Sequence, residues 1–240
     1  MHRLGRFLEI SVPAPDVAES LAFYESLGFV QAVTGDARPH PYGVITDGRV
    51  SIGLHRDHVA AISLTWVMPG LVKHAQVLEA LGIEFAFTRL DEVALNELGF
   101  LDPSGQMITL LEARTFTPPA VPAAHRSALG YFEEFAIPTA DLEASAAFWD
   151  RLGFVAFEPV REPFGKVVVS SRDLNLALCD LDLRAPLLTF SAPDMAGRID
   201  RLRAQGFTFR DRLPRELRAS GAALLEAPEG TLLLLTASED

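Results

Sequence analysis

Two carboxylates 125 residues apart carry the first chemistry this sequence suggests: Glu9, opening Glu9-Ile10-Ser11-Val12-Pro13, and Glu134, opening Glu134-Phe135-Ala136-Ile137-Pro138. Each interrupts a run of residues that otherwise favour an apolar strand. With simple strand alternation, Phe7, Glu9 and Ser11 share one face, and Leu8, Ile10 and Val12 share the other. A carboxylate turned into a cleft needs a cation or a hydrogen-bond donor to offset its lost hydration. The same burial raises its pKa toward neutrality, which suits a general base that takes a proton next to a carbonyl. The competing reading is a carboxylate that faces solvent or a neighbouring Arg.

Other reactive side chains are sparse. Of the six histidines, His2 is terminal, His40 sits in a Pro-rich loop at 36–41, His74 follows Lys73 on a helix face and His125 lies in a Pro- and Ala-rich stretch. His55 and His58 lie near a strand end. Their spacing of three would suit a metal on a helix, but this segment reads as strand into loop, so His55 is a cleft-rim contact. There is no Gly-x-Ser-x-Gly elbow, no phosphate-cradling Gly-rich loop and no Cys with a His neighbour. The lone Cys179 ends an apolar strand, cannot form an internal disulfide and reads as a small core residue. Tyr42, Phe87, Phe100, Phe157 and Phe164 read first as core fillers, with walls of a pocket for a planar or greasy ligand as the alternative.

The elements that must position these groups repeat. The identity at an offset of 125 continues through Ser20/Ser145, Ala22/Ala147, Phe23/Phe148, Leu27/Leu152, Gly28/Gly153 and Phe29/Phe154, and returns as Pro103-Ser104-Gly105 against Pro228-Glu229-Gly230. Similarity that persists this far marks a tandem duplication. Within the first half, strand 7–12 is followed by an N-cap at Asp16, a helix through Leu27, a stop at Gly28 and three strands; the order begins again at 61 with strand, helix 71–81, Gly82 and three strands. Four βαβββ units result, eight strands to a half, in domains 1–112 and 131–240 that each bury a core, joined by a semi-stiff linker at 113–130.

A 49% hydrophobic, 22% charged composition is that of a globular chain, and no apolar run reaches the roughly 18 residues that cross a bilayer. Residues 1–6 lead directly into a strand without a secretory signal, so a cytoplasmic location is expected. A formal net charge of −11, with no run among its 21 Lys and Arg, argues against nucleic acid and suits a cationic small molecule.

The unit order, the helix motif 20–29 and the turn Asp102-Pro103-Ser104-Gly105 together resemble the vicinal oxygen chelate superfamily of glyoxalase I, extradiol dioxygenases and bleomycin resistance proteins, over almost the whole chain. The resemblance implies an α+β fold whose tandem glyoxalase-like domains curve mixed sheets into clefts, with helices outside. It also implies ligand positions on the inner faces: Glu9, Gly53, Ser63 and Thr109 in the first half, and Glu134, Ala177, Leu187 and Leu234 in the second. Only Glu9 and Glu134 bind metal well, short of the three ligands a catalytic centre needs, so no metal and no other cofactor is expected. Ser63 and Thr109 make one cluster polar, and Leu187 and Leu234 make the other apolar. The expectation is a small-molecule binding protein similar to bleomycin resistance proteins, with Glu9, Glu134, Ser63, Thr109 and His55 against the ligand and no catalytic residue. It binds neither nucleic acid nor membrane, and is a monomer by default, with a homodimer as the alternative. The rival is a glyoxalase-like lyase, isomerase or dioxygenase relative with displaced metal ligands or a Glu base.

Overall fold

The computed structural model describes residues 3–33, 40–57, 59–90, 96–113, 127–162 and 164–238. The first unit comprises β1 (Arg6–Pro13), α1 (Val17–Ser26), β2 (Val30–Gln31), β3 (Tyr42–Thr46) and β4 (Ser51–His55). The second comprises β5 (Ser63–Met68), α2 (Leu71–Ala80), β6 (Phe85–Arg89), β7 (Glu97–Leu101) and β8 (Met107–Glu112). The third comprises β9 (Tyr131–Pro138), α3 (Leu142–Arg151), β10 (Val155–Ala156), β11 (Lys166–Ser170) and β12 (Asn175–Cys179). The fourth comprises β13 (Leu187–Ala192), α4 (Met195–Ala204), α5 (Arg215–Ala219), β14 (Ala223–Glu226) and β15 (Leu232–Ala237). Asp16 and Asp141 cap α1 and α3 by accepting from the amides of Glu19 and Ala144. After each helix the chain reverses through glycine at φ 87° (Gly28) and 93° (Gly153), a conformation other residues rarely adopt.

Each half forms one mixed sheet, in the order β2-β3-β4-β1-β5-β8-β7-β6 and β10-β11-β12-β9-β13-β15-β14. The first strands of two consecutive units meet antiparallel at the centre (β1 with β5, β9 with β13), and each has a parallel partner on its other side. The eight strands expected of the second half are seven among the described residues. Where the fourth unit would supply one more, Phe209 makes a single bridge to Leu225. Pro214, with no amide hydrogen to extend a ladder, then starts α5. The linker expected at 113–130 falls mostly on residues 114–126, outside the described set.

Strand alternation divides the apolar residues. Ile10, Leu64, Ile108, Phe135, Leu188 and Leu233 join the buried faces of α2 and α4 in one cluster that spans both halves. The aromatic contacts cross between halves: Trp66 of β5 lies 6.4 Å from both Trp149 of α3 and Phe154, Phe100 lies 6.4 Å from Phe148, and Phe29 lies 6.2 Å from Phe190. The interior is therefore common to the two sheets, in place of the separate cores the sequence suggested. On the opposite face of the second sheet, Ala136, Ala177, Cys179, Leu187, Leu224 and Leu234 form a second apolar cluster with Leu217 of α5. No helix of the described residues is long and apolar enough to cross a membrane.

Candidate functional site

Both central strands break register at the same place. Pairing steps from Phe7↔Trp66 to Glu9↔Thr65 in the first half, and from Phe132↔Phe190 to Glu134↔Thr189 in the second. One extra residue, Leu8 or Glu133, bulges out. Simple alternation therefore fails at this point: Phe7 returns to the core side, edge-on to Trp66 with ring centres 5.1 Å apart, while Glu9 still shares the cleft side with Ser11. Both carboxylates are buried, Glu134 in the lining of the second cleft and Glu9 behind Ser11 at the first.

In the first half, three groups that can donate converge on Glu9. Ser11 Oγ lies 2.8 Å from Oε1, His55 Nε2 lies 2.9 Å from the same oxygen, and the Tyr42 hydroxyl donates to Oε2. His40 Nε2 stands 3.0 Å from His55 Nδ1. Gly53 is required here, because a Cβ at 53 would lie 2.3 Å from the Glu9 carboxyl carbon. A cavity of about 270 Å³ opens beside this network, lined by Ser11, Ser63, Thr65, Thr109 and Met107 of the adjoining strands β1, β5 and β8, by Phe87, and by the Arg89–Glu97 ion pair. Ser63 and Thr109 hydrogen-bond at 2.7 Å, as do Ser11 and Thr65. Phe87 folds over Gly99, where a Cβ would lie 2.2 Å from the ring.

In the second half the same four positions, Glu134, Ala177, Leu187 and Leu234, line a cavity of about 660 Å³ together with Phe164 and Leu217. Glu134 pairs with Lys166 Nζ at 2.9 Å. Burial pushes the Glu134 carboxyl above its ordinary range, and Lys166 offsets this only in part. Cys179, on the same face, has its thiol pushed up to about 12 by burial, which leaves it protonated and unreactive. Thr189, paired in register with Glu134, lines the cavity and is 5% exposed, and its buried hydroxyl has no hydrogen-bond partner.

The expected site residues thus separate into two places. Ser63 and Thr109 line the first cavity, Glu9 reaches it through Ser11 with His55 behind, and Glu134 lines the second. His55 is wholly buried rather than on a rim, and His58 lies outside the described residues. His40, set aside as a loop residue, stands next to His55. Lys166, Thr189 and Ser11 were not anticipated. Strand pairing brings Lys166 and Thr189 to Glu134 from 32 and 55 positions away, which no local pattern reveals, whereas Ser11 is two residues from Glu9 on one strand. Of the aromatic candidates, Tyr42, Phe87 and Phe164 stand at the clefts, Phe100 is core, and Phe157 is 58% exposed.

The donor chemistry does not suit a catalytic divalent metal. Glu9 and His55 bond directly to each other, His40 stands behind His55, Glu134 is paired with Lys166, and the six other equivalent positions offer hydroxyl, methyl, isobutyl or no side chain. Among the described residues no group of three or more His, Cys, Asp or Glu side chains is arranged to hold a metal ion.

No protein-family model matches the chain, and no curated protein matches it in sequence. Solved structures match its fold over nearly its whole length. A catechol 2,3-dioxygenase superposes with a TM-score of 0.60 at 16% identity, covering 98% of this chain and 88% of its own. Native homoprotocatechuate 2,3-dioxygenase from Arthrobacter globiformis gives 0.64 at 16%, with 98% and 80% covered. The Mn(II)-bound glyoxalase from Novosphingobium aromaticivorans gives 0.62 at 14%, with 99% and 83% covered. The chain shares the fold of these dioxygenase and glyoxalase structures, with its βαβββ units in tandem.

Proposed function

We propose that this protein binds an organic small molecule without a metal, in the cavity of the second half, and acts as a cytoplasmic monomer by sequestration, in the manner of bleomycin resistance proteins. The observation that carries this reading is the 660 Å³ cavity, whose walls are mostly apolar and whose polar groups converge at Glu134, Lys166 and the unpartnered Thr189 hydroxyl. Its size falls in the range of drug-sized ligand sites, and a few placed polar groups in apolar walls are what such sites use to orient a ligand. A ligand polar group there would give Thr189 the partner it lacks. Exposed Glu133 and Glu162 on the lining favour a cationic ligand, such as a basic antibiotic or metabolite, as does the acidic chain as a whole.

A thermal-shift screen of amphipathic amines against the native protein and Leu234→Trp tests this. Compounds that stabilise the native protein should leave the cavity-filled variant unmoved. Equal stabilisation of both would place binding elsewhere.

One observation favours a second reading. The raised pKa of Glu134, caused by burial, makes it a candidate base for removing a proton next to a carbonyl. Deuterium incorporation from solvent into small ketones, lost in Glu134→Gln, would support turnover; no incorporation would leave binding alone.

A further inference from the structure

We infer that the first-half cavity is a second and separate binding site, built to take a small ring-sized ligand through a hydrogen-bond donor, because Glu9 fixes the direction of the hydroxyl chain that lines it. Hydrogen-atom accounting carries the argument. A carboxylate only accepts, and Glu9 is met by three groups able to donate: the Ser11 hydroxyl, the Tyr42 hydroxyl and His55 Nε2. His40 Nε2 and His55 Nδ1, 3.0 Å apart, share one hydrogen between the two rings, and either direction leaves the Ser11 hydrogen on Glu9.

The consequence runs outward to the cavity. Ser11 has one hydroxyl hydrogen, and it points at Glu9 over 2.8 Å. The 2.7 Å contact between Ser11 Oγ and Thr65 Oγ1 still needs a hydrogen, so Thr65 supplies it. Both hydrogens are then committed away from the cavity. What Thr65 and Ser11 present to a ligand is lone pairs, which attract an N–H or O–H and repel a carbonyl or ether oxygen. The Ser63–Thr109 pair beside them keeps one uncommitted hydrogen and adapts to either polarity.

Size and walls complete the specification. A dry cavity of about 150 Å³ accommodates benzene, so about 270 Å³ holds a monocyclic or small bicyclic ring. Phe87 and Met107 supply apolar and polarisable surface against which such a ring packs. The chemical class is a small aromatic or aliphatic ring bearing a phenol, amine, amide or ring N–H.

Indole and benzofuran share a shape, but only indole has a donor. Their affinities are measured by titration calorimetry, with amide shifts of β5 and β8 locating the site, on full-length protein carrying Leu234→Trp so that the second cavity cannot contribute. The expected result is indole binding at the first cavity about tenfold more tightly than benzofuran, the effect of one good hydrogen bond. Thr65→Val, which keeps the shape and removes one of the two committed acceptors, should narrow the advantage of indole over benzofuran, with Ser11 still able to accept. Ser11→Ala, which frees the Thr65 hydrogen to point into the cavity, should narrow the gap by improving benzofuran. Equal affinities in the Leu234→Trp background, an unchanged ratio in Thr65→Val, or no shifts in β5 and β8 with either probe would overturn the inference. None of these outcomes bears on the second cavity.

Discussion

At the scale of single residues, Glu9 and Glu134 occupy equivalent places and meet different fates. Glu9 sits against the Ser11 and Tyr42 hydroxyls and the His55 ring above Gly53, while Glu134 lies above Ala177 and is drawn to Lys166. Gly53→Ala should push the Glu9 carboxyl off its partners and cost about 1–3 kcal/mol in urea unfolding, the range for overpacking and lost buried hydrogen bonds. For Glu134 the sign follows from the raised pKa. The folded state disfavours the charged form, so the penalty is present above the folded pKa and relieved as pH falls through it. Glu134→Gln removes that penalty. Its stability relative to the native protein should therefore improve as pH rises through the window just above the ordinary carboxylate range, from about 4.5 upward. Unfolding curves across that window check this, and a trend in the other direction would mean that the Lys166 pair outweighs burial. The two carboxylates stood out as charges in apolar strands, and the family resemblance, counted from the helix and turn motifs, added Ser63 and Thr109. Lys166, Thr189 and His40 were not, since strand pairing alone brings them near.

At the scale of elements, the pattern of Asp caps, helix-ending glycines and the turns Pro103-Ser104-Gly105 and Pro228-Glu229-Gly230 was readable, because each states a local backbone requirement. The bulges at Leu8 and Glu133 were not, because an inserted residue leaves the hydrophobic pattern on either side intact and shifts only the pairing. The turns do more than reverse the chain. Glu229 accepts from Ser20 Oγ and the Tyr24 hydroxyl of α1, both at 2.8 Å, while Asp102 accepts from Trp149 Nε1 of α3 at 3.3 Å. Each half's turn thus anchors the other half's helix. Burial and the Glu229 carboxylate hold the Tyr24 phenol well above its ordinary range. Glu229→Ala should strand two buried hydroxyls at about 1–3 kcal/mol each. Glu229→Gln, which can still accept at its oxygen, should cost less. Equal losses in both variants, measured by urea unfolding, would show that the anchor acts through packing instead.

At the scale of the whole molecule, duplication has produced two clefts of unlike character around one shared interior. Tandem architecture was evident in the repeat, whereas the common core was not, since a repeat says what each half contains and not which faces meet. Because the aromatic contacts run between halves, the chain should unfold in one cooperative step, with near-ultraviolet and far-ultraviolet transitions superimposed. The division of labour between the clefts follows from the same divergence: Leu187 and Leu234 line an apolar site where Ser63 and Thr109 line a polar one. The most direct test of metal-independent binding in the second half is titration calorimetry of chelator-stripped protein with an amine found in the screen, before and after Mn(II) or Fe(II) is restored. One ligand per chain, with an affinity indifferent to metal and lost in Leu234→Trp, is the predicted result. Binding that disappears on stripping and returns with the metal would contradict it.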